Sequence, residues 1–124
     1  MRYLLDSNII IAALRGAHLP LRARMAACDE GDLVTSSIVY AEVALGALRG
    51  EAPAIEVLDQ FLADVPVLNF DQPAAMSYAR LPFERDRYDH LIAGHALALG
   101  LAVATANTED FERLPGVRVE NWMR

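Results

Sequence analysis

The sequence predicts an α/β fold, a three-layer sandwich with a mostly parallel central sheet flanked by helices. Three observations predict it. Strand-length apolar runs alternate with helix-length segments along the chain, as they do where helical crossovers join parallel strands. The run Leu101–Thr105 offers no polar face, which suits a strand buried on both sides of a parallel sheet. Glycine and cap residues punctuate the segments at Gly16, Gly31-Asp32, Gly50 and Gly100. The 124 residues, 1–124, are expected to form a single domain with one core.

Each element follows in order. Arg2–Asp6 reads as a short buried strand feeding a helix over Asn8–Leu14. Gly16 and Pro20 interrupt before a second helix, Leu19–Cys28. Gly31-Asp32 turns the chain into a second strand, Leu33-Val34-Thr35. Ser36 or Ser37 caps the next helix, which runs to about Arg49 and closes at Gly50. Pro53 marks the start of a helix reaching about Ala63. Val65–Leu68 is a third strand, and a helix runs from Asp71 towards Arg80 before Leu81-Pro82-Phe83 breaks it. Asp89–Leu99 is the clearest helix, stopped by Gly100. Leu101–Thr105 follows as a strand, and Val117-Arg118-Val119 is the expected last strand before Trp122.

Composition narrows the function. Hydrophobic residues make up 54% of the chain and charged residues 23%, the balance of a globular protein. No apolar run approaches the roughly 20 residues that span a bilayer, and Asp6 arrives too early for a secretory apolar segment. The one cysteine, Cys28, fits a reducing compartment and is expected in the core, so the cytoplasm is the expected location. A net charge of −6 argues against wrapping nucleic acid with a broad basic surface. All eleven cations are arginine, which excludes any mechanism that needs a lysine. Arginine grips phosphate through a planar fork, although genome base composition explains the bias equally well.

Oxygen-bearing side chains in apolar settings carry the functional signal. Asp6 ends the first strand, Glu42 and Asp89 lie near helix starts, and Asn107 follows the Leu101–Thr105 strand. In open α/β sheets the ligand crevice lies beyond the carboxyl ends of the strands, so all four point at one edge. Each has an ordinary alternative: Asp6 and Asp89 as helix caps, Asn107 as a turn residue, Asp110 as a cap beside Phe111. Glu42 is harder to explain away, because Ile38, Val39, Leu45 and Gly46 place it inside an apolar stripe. Burying that carboxylate without a partner is costly. Gly46, one turn on, is expected to leave room for a ligand or another chain. If the four converge, they form an oxygen cage for a divalent cation of the kind that works on phosphate esters. Zinc is unsupported, since His90 and His95 do not share a helix face and His18 lies in a loop. Neither a Gly-x-Ser-x-Gly elbow nor a glycine-rich phosphate loop is present.

Leu5-Asp6-Ser7-Asn8-Ile9-Ile10, Ala41-Glu42-Val43-Ala44-Leu45-Gly46, Asp89-His90-Leu91-Ile92-Ala93-Gly94-His95-Ala96 and Thr105-Ala106-Asn107 with Asp110-Phe111 occur in that order. Together with Leu114-Pro115-Gly116-Val117 and Glu120-Asn121-Trp122, they resemble the motifs of a PIN domain, specifically of the VapC toxins of bacterial type II toxin–antitoxin pairs. The likeness covers nearly the whole chain. Serine stands at position 7 where the family usually has threonine. The stretch from Met76 to Asp89 is shorter than the family leads one to expect, and the fourth acidic position falls on Asn107 with Asp110 nearby.

The resemblance implies a PIN-domain endoribonuclease that depends on Mg²⁺, with Mn²⁺ as substitute. It implies Asp6, Glu42 and Asp89 as metal ligands and Asn107 as the fourth catalytic position, orienting a water or completing a second site. Ser7 and Asp110 are the supporting residues. Clustered carboxylates repel one another, and a hard cation relieves this. Arg85 and Arg87 are the nearest cations in sequence to Asp89 and are candidates for flanking phosphates. The implied partners are an RNA substrate, a cognate antitoxin of the VapB type and a second copy in a homodimer, with no membrane. The helices Leu19–Cys28 and Ser37–Arg49 are candidates for the antitoxin groove. Two alternatives stand beside this: a non-catalytic PIN-like interaction module, and another Mg²⁺-binding acidic-pocket α/β phosphatase, which would ordinarily require a lysine.

Overall fold

A computed structural model describes residues 1–85 and 87–124. Five strands, β1 (Tyr3–Leu5), β2 (Leu33–Ser36), β3 (Val67–Leu68), β4 (Ala102–Thr105) and β5 (Val119–Asn121), form one sheet in the order β3-β2-β1-β4-β5. Every neighbouring pair is parallel, and Leu4 of β1 stands beside Val34 on one side and Val103 on the other. The connecting helices are α1 (Ser7–Arg15), α2 (Leu19–Ala26), α3 (Ser37–Leu48), α4 (Ile55–Phe61), α5 (Gln72–Ala79), α6 (Tyr88–Leu99) and α7 (Glu109–Glu112). All four residues of β4 are buried, as a sheet sandwiched between helical layers demands.

Strand order decides where a ligand fits. From β1 the chain works outward through β2 and β3, then returns to lay β4 and β5 on the opposite side of β1. The carboxyl ends of β1 and β4 therefore flank a topological switch point. Asp6 follows the first of these strands and Asn107 lies two residues beyond the second.

Local chemistry explains most boundaries. The Asp6 carboxylate accepts from Ser7 N–H and caps α1, while Gly16 at φ +73° ends it. Ser36 Oγ caps α3, and the Asp71 carboxylate caps α5 through Ala74 N–H. Gly100, at φ +71°, turns α6 into β4.

Several expectations change, among them the third strand, which spans Val67–Leu68 rather than Val65–Leu68, and the second helix, which ends at Ala26 rather than Cys28. The last strand is Val119–Asn121, not Val117–Val119, because Val117 N–H is spent on the Leu114 carbonyl in a turn that puts Gly116 at φ +78°. Pro53 lies before α4, which starts at Ile55 and ends at Phe61. Residues 109–112 form a one-turn helix, α7, closed by Glu112 N–H on the Thr108 carbonyl. Cys28 is only partly buried at the core's margin, its thiol 3.4 Å from the Arg24 carbonyl.

The pairing of α5 with α6 depends on Gly94. A β-carbon there would stand 2.7 Å from the Cα, Cβ and N of Tyr78. Backbone atoms cannot yield as a flexible side chain would. Gly94→Ala is therefore expected to destabilise the protein by about 2 kcal/mol through overpacking, outweighing the roughly 1 kcal/mol that alanine gains in helix propensity. A thermal melt reads the net loss of about 1 kcal/mol as a fall of roughly 4 °C; an unchanged midpoint would show that the helices can separate freely.

Candidate active site

Asp6 is fixed from three directions. Its N–H donates to the Ala104 carbonyl at 3.0 Å, tying the end of β1 to β4. Oδ1 accepts from Ser7 N–H at 2.8 Å, and Oδ2 accepts from Thr105 Oγ1 at 2.8 Å and Asn8 Nδ2 at 3.4 Å. The residue is only 7% exposed. Burial pushes its pKa up; the Thr105 and Ser7 hydrogen bonds oppose the rise, while Asp89 and Asp110 add to it.

Glu42 reaches in from α3, whose Val39 and Val43 are buried in the core. Ser7 Oγ donates to its Oε2 at 3.5 Å, and its Oε1 is buried with no hydrogen-bond partner. Burial, then the neighbouring Asp6 charge and more weakly Asp89, pushes the Glu42 pKa up from 4.5 to about 7. A buried carboxylate oxygen without a partner is an unmet demand for a cation or a proton.

Asp89 sits in the first turn of α6, with Arg87 rather than Asp89 at the cap position. Burial works to raise its pKa, but Arg87 and its own backbone N–H prevail and hold it below the ordinary value. Arg87 donates through Nη2 to Oδ2 at 2.7 Å and through Nε to Oδ1 at 3.4 Å. The same guanidinium meets Glu84 at 3.0 Å and Asp110 at 3.6 Å. Arg87 is thus engaged by three carboxylates rather than held out for phosphate; Arg85 is exposed.

Asp6, Ser7, Glu42, Asp89, Asn107 and Asp110 all line one cavity of about 120 Å³, joined by Asn8, Tyr88 and Ile92. Asn8 and Thr105 are the residues that sequence reasoning passed over. Asn8 Oδ1 accepts from Ala106 N–H at 3.0 Å, and its Nδ2 lies 3.3 Å from Thr105 Oγ1. Thr105 Oγ1 also accepts from Asn107 N–H at 3.1 Å. These bonds staple α1 to the loop after β4. Asn8, two residues past Asp6 in the opening motif, was the available signal. The room beside Gly46 is occupied by the Glu51 side chain, whose Oε2 would stand 2.9 Å from a β-carbon there.

The donor set fits a hard divalent cation. It is all oxygen, it includes the orphaned Glu42 Oε1, and its two most buried acids hold raised pKa values. The acids border the cavity rather than close on a point: among the described residues, no group of three His, Cys, Asp or Glu side chains stands ready to enclose an ion. His95 belongs to the scaffold, its Nδ1 2.8 Å from Ser36 Oγ, and burial lowers its pKa.

Residues 3–117 match the PIN domain family. The chain belongs to that family, in its VapC branch. It is 31% identical to the tRNA(fMet)-specific endonuclease VapC of Shigella flexneri and 33% identical to the one from Salmonella typhimurium, each alignment covering 98% of both chains. Ribonuclease VapC2 of Haemophilus influenzae is 30% identical over 99% of both. Among solved structures, DNA-bound VapBC from Salmonella typhimurium superposes with a TM-score of 0.83 at 31% identity, covering 98% of each chain. VapBC2 of Rickettsia felis bound to a promoter DNA fragment gives 0.83 at 26%, covering 98% of this chain and 99% of that one. The PIN-domain α/β architecture expected from the motifs is the one found.

The raised Glu42 pKa has a sign. An acid that binds its proton more tightly when folded stabilises the fold fully below its unfolded value near 4.5, and that contribution is lost as pH rises through about 7. In chelator, Glu42→Gln is expected to match the parent near the lower pH and exceed it above the upper one. With the charge half screened by solvent, the gain amounts to about 1 kcal/mol, roughly 4 °C in midpoint. Melts across that pH range test it, and a variant less stable than the parent above pH 7 would contradict it.

Proposed function

We propose that the chain is a metal-dependent endoribonuclease, the toxin of a type II toxin–antitoxin pair, hydrolysing phosphodiester bonds in RNA. Asp6, Glu42 and Asp89 would hold Mg²⁺, or Mn²⁺ in its place, directly or through water. One observation carries this reading: an unpartnered buried carboxylate oxygen beside a second buried acid, at the switch point of a sheet shared with VapC endonucleases. A divalent cation there would polarise the scissile phosphate and lower the pKa of a coordinated water.

The chain's own residues have distinct tasks. Asp6 is the rigid ligand, held by Ser7, Asn8 and Thr105. Glu42 is steered by Ser7 and keeps Oε1 open. Asp89 must loosen its grip on Arg87 to take part, leaving that guanidinium to Glu84 and Asp110. Asn107 contributes a neutral oxygen where a carboxylate would strengthen a second site, which favours one tightly held ion over two. Asp110 adds charge at the rim.

A VapB-type antitoxin is the expected partner. Leu45 and Leu48 on α3 and Val57 on α4 are exposed, and Ile11, Leu14, Pro53 and Val57 border an apolar cavity of about 150 Å³. Leu45 lies one turn from Glu42. We therefore place the antitoxin segment across α1, α3 and α4 rather than on α2, whose Arg22, Ala23 and Arg24 face solvent. A homodimer in the cytoplasm remains our reading from the family likeness; among the described residues no helix is long and apolar enough to cross a membrane.

A non-catalytic interaction module is the second reading, favoured by Asn107 and by the Arg87 pairing of Asp89. RNA cleavage separates the two. Asp6→Asn, Glu42→Gln and Asp89→Asn should each lose several kcal/mol of transition-state stabilisation, at least about a hundredfold in rate. EDTA should abolish cleavage and Mg²⁺ restore it. Cleavage that survives chelation and all three substitutions would remove the proposed mechanism.

A further inference from the structure

A larger cavity, of about 370 Å³, adjoins the carboxylate cavity and shares Tyr88 with it. Phe83, Arg85 and Arg87 also line it. Of the nine aromatic side chains, Phe83 at 80% exposed and Tyr88 at 57% are the two most open to solvent, and both face this cleft. Elsewhere the chain buries its rings wholly or in part. Two open rings in one cleft, beside a site that cuts a phosphodiester, are a stacking surface rather than scattered apolar residues.

We propose that Phe83 and Tyr88 form a base-stacking subsite for one unpaired nucleotide flanking the scissile phosphate, with Arg85 against that nucleotide's backbone phosphate. This rests on the ribonuclease reading and specifies its substrate as single-stranded at the cut. Tyr88 opens α6 immediately before Asp89, so the turn that positions the acid also positions the ring. A phosphate at the carboxylates thereby places the adjoining base in the cleft. A second neighbouring cavity differs: of about 350 Å³, it shares Asn107 and Asp110 with the carboxylate cavity and is completed by Asn121 and Arg124, with no ring in its lining. Stacking is therefore confined to the aromatic cleft. With Arg87 engaged by carboxylates, the exposed Arg85 guanidinium in the aromatic cleft is the one that favours a nucleotide over the apolar face of a second copy.

The test uses the full chain and short single-stranded RNAs carrying 2-aminopurine at successive positions, whose fluorescence is quenched on stacking. In chelator, the parent should quench the probe at one position only. Phe83→Ala and Tyr88→Leu should abolish that quenching, and Phe83→Trp should keep it. In Mg²⁺, Phe83→Ala should raise KM about tenfold, the scale of one lost stacking contact, with kcat held. Both substitutions lie on the surface, and unchanged melts will show that the variants fold. If the parent cleaves RNA but quenching and KM are indifferent to Phe83 and Tyr88, the subsite is overturned and the nuclease stands. If the parent quenches but cleaves nothing in Mg²⁺ or Mn²⁺, the subsite stands and the nuclease falls. A parent dimer that Phe83→Ala converts to monomer at unchanged KM would assign the rings to a contact between copies and overturn the proposal.

Discussion

Two neighbouring carboxylates without a counter-charge, Asp6 buried and Glu42 half-buried, are the constraint on which the site depends. Among the described residues, no arginine or histidine lies within ion-pairing distance of Asp6 or Glu42. Each is held in place by forces unrelated to its charge. Asp6 is locked where β1, α1 and β4 meet, and Glu42 rides on a helix anchored by Val39 and Val43. Packing thus forces together groups that electrostatics would separate. The folded chain lowers that tension by keeping protons on these acids at a pH where free carboxylates have lost them. A cation bound at such a site would relieve a charged arrangement that is unfavourable on its own.

Arg87 shows how the third acid is treated differently. Asp89 has its own cation and keeps a lowered pKa, whereas Asp6 and Glu42 carry raised ones. The cavity therefore holds two acids, Asp6 and Glu42, whose repulsion a metal would relieve, and two, Asp89 and Asp110, already beside Arg87. Recruiting Asp89 costs an ion pair, partly offset because Glu84 and Asp110 still hold the guanidinium. That asymmetry is a feature of this chain's α6 entry, where Arg87 precedes Asp89 by two residues.

Much of this was legible in the residues because the signals were local. Apolar runs marked the strands, glycines marked the ends of α1 and α6, and acids at strand ends and inside an apolar stripe marked the site. What escaped was set by three-dimensional neighbours. The Val117 turn displaced the last strand by two residues, and Glu51 filled the space beside Gly46. Asn8 and Thr105 looked like ordinary helix and strand residues until β1 and β4 were laid side by side, ninety-seven positions apart in sequence. Arg87 read as a phosphate cation because nothing local shows that Glu84 and Asp110 also converge on it.

Charge closes the physical argument about substrate capture. The net charge is −6, and Arg2, Arg24, Arg87 and Arg113 each stand against a carboxylate. Long-range attraction of a polyanion is therefore weak, and few phosphates can be neutralised on contact. On the proposed function, affinity for RNA would then come from forces that act at short range and survive salt: a cation seated among the acids, and base stacking on exposed rings. The first turn of α6, where Tyr88 and Asp89 adjoin, contributes one residue to each. On the proposed reading, such a protein would select a strand by whether its bases can leave their own stack, so that the fold of the RNA, more than its charge, would decide what is cut.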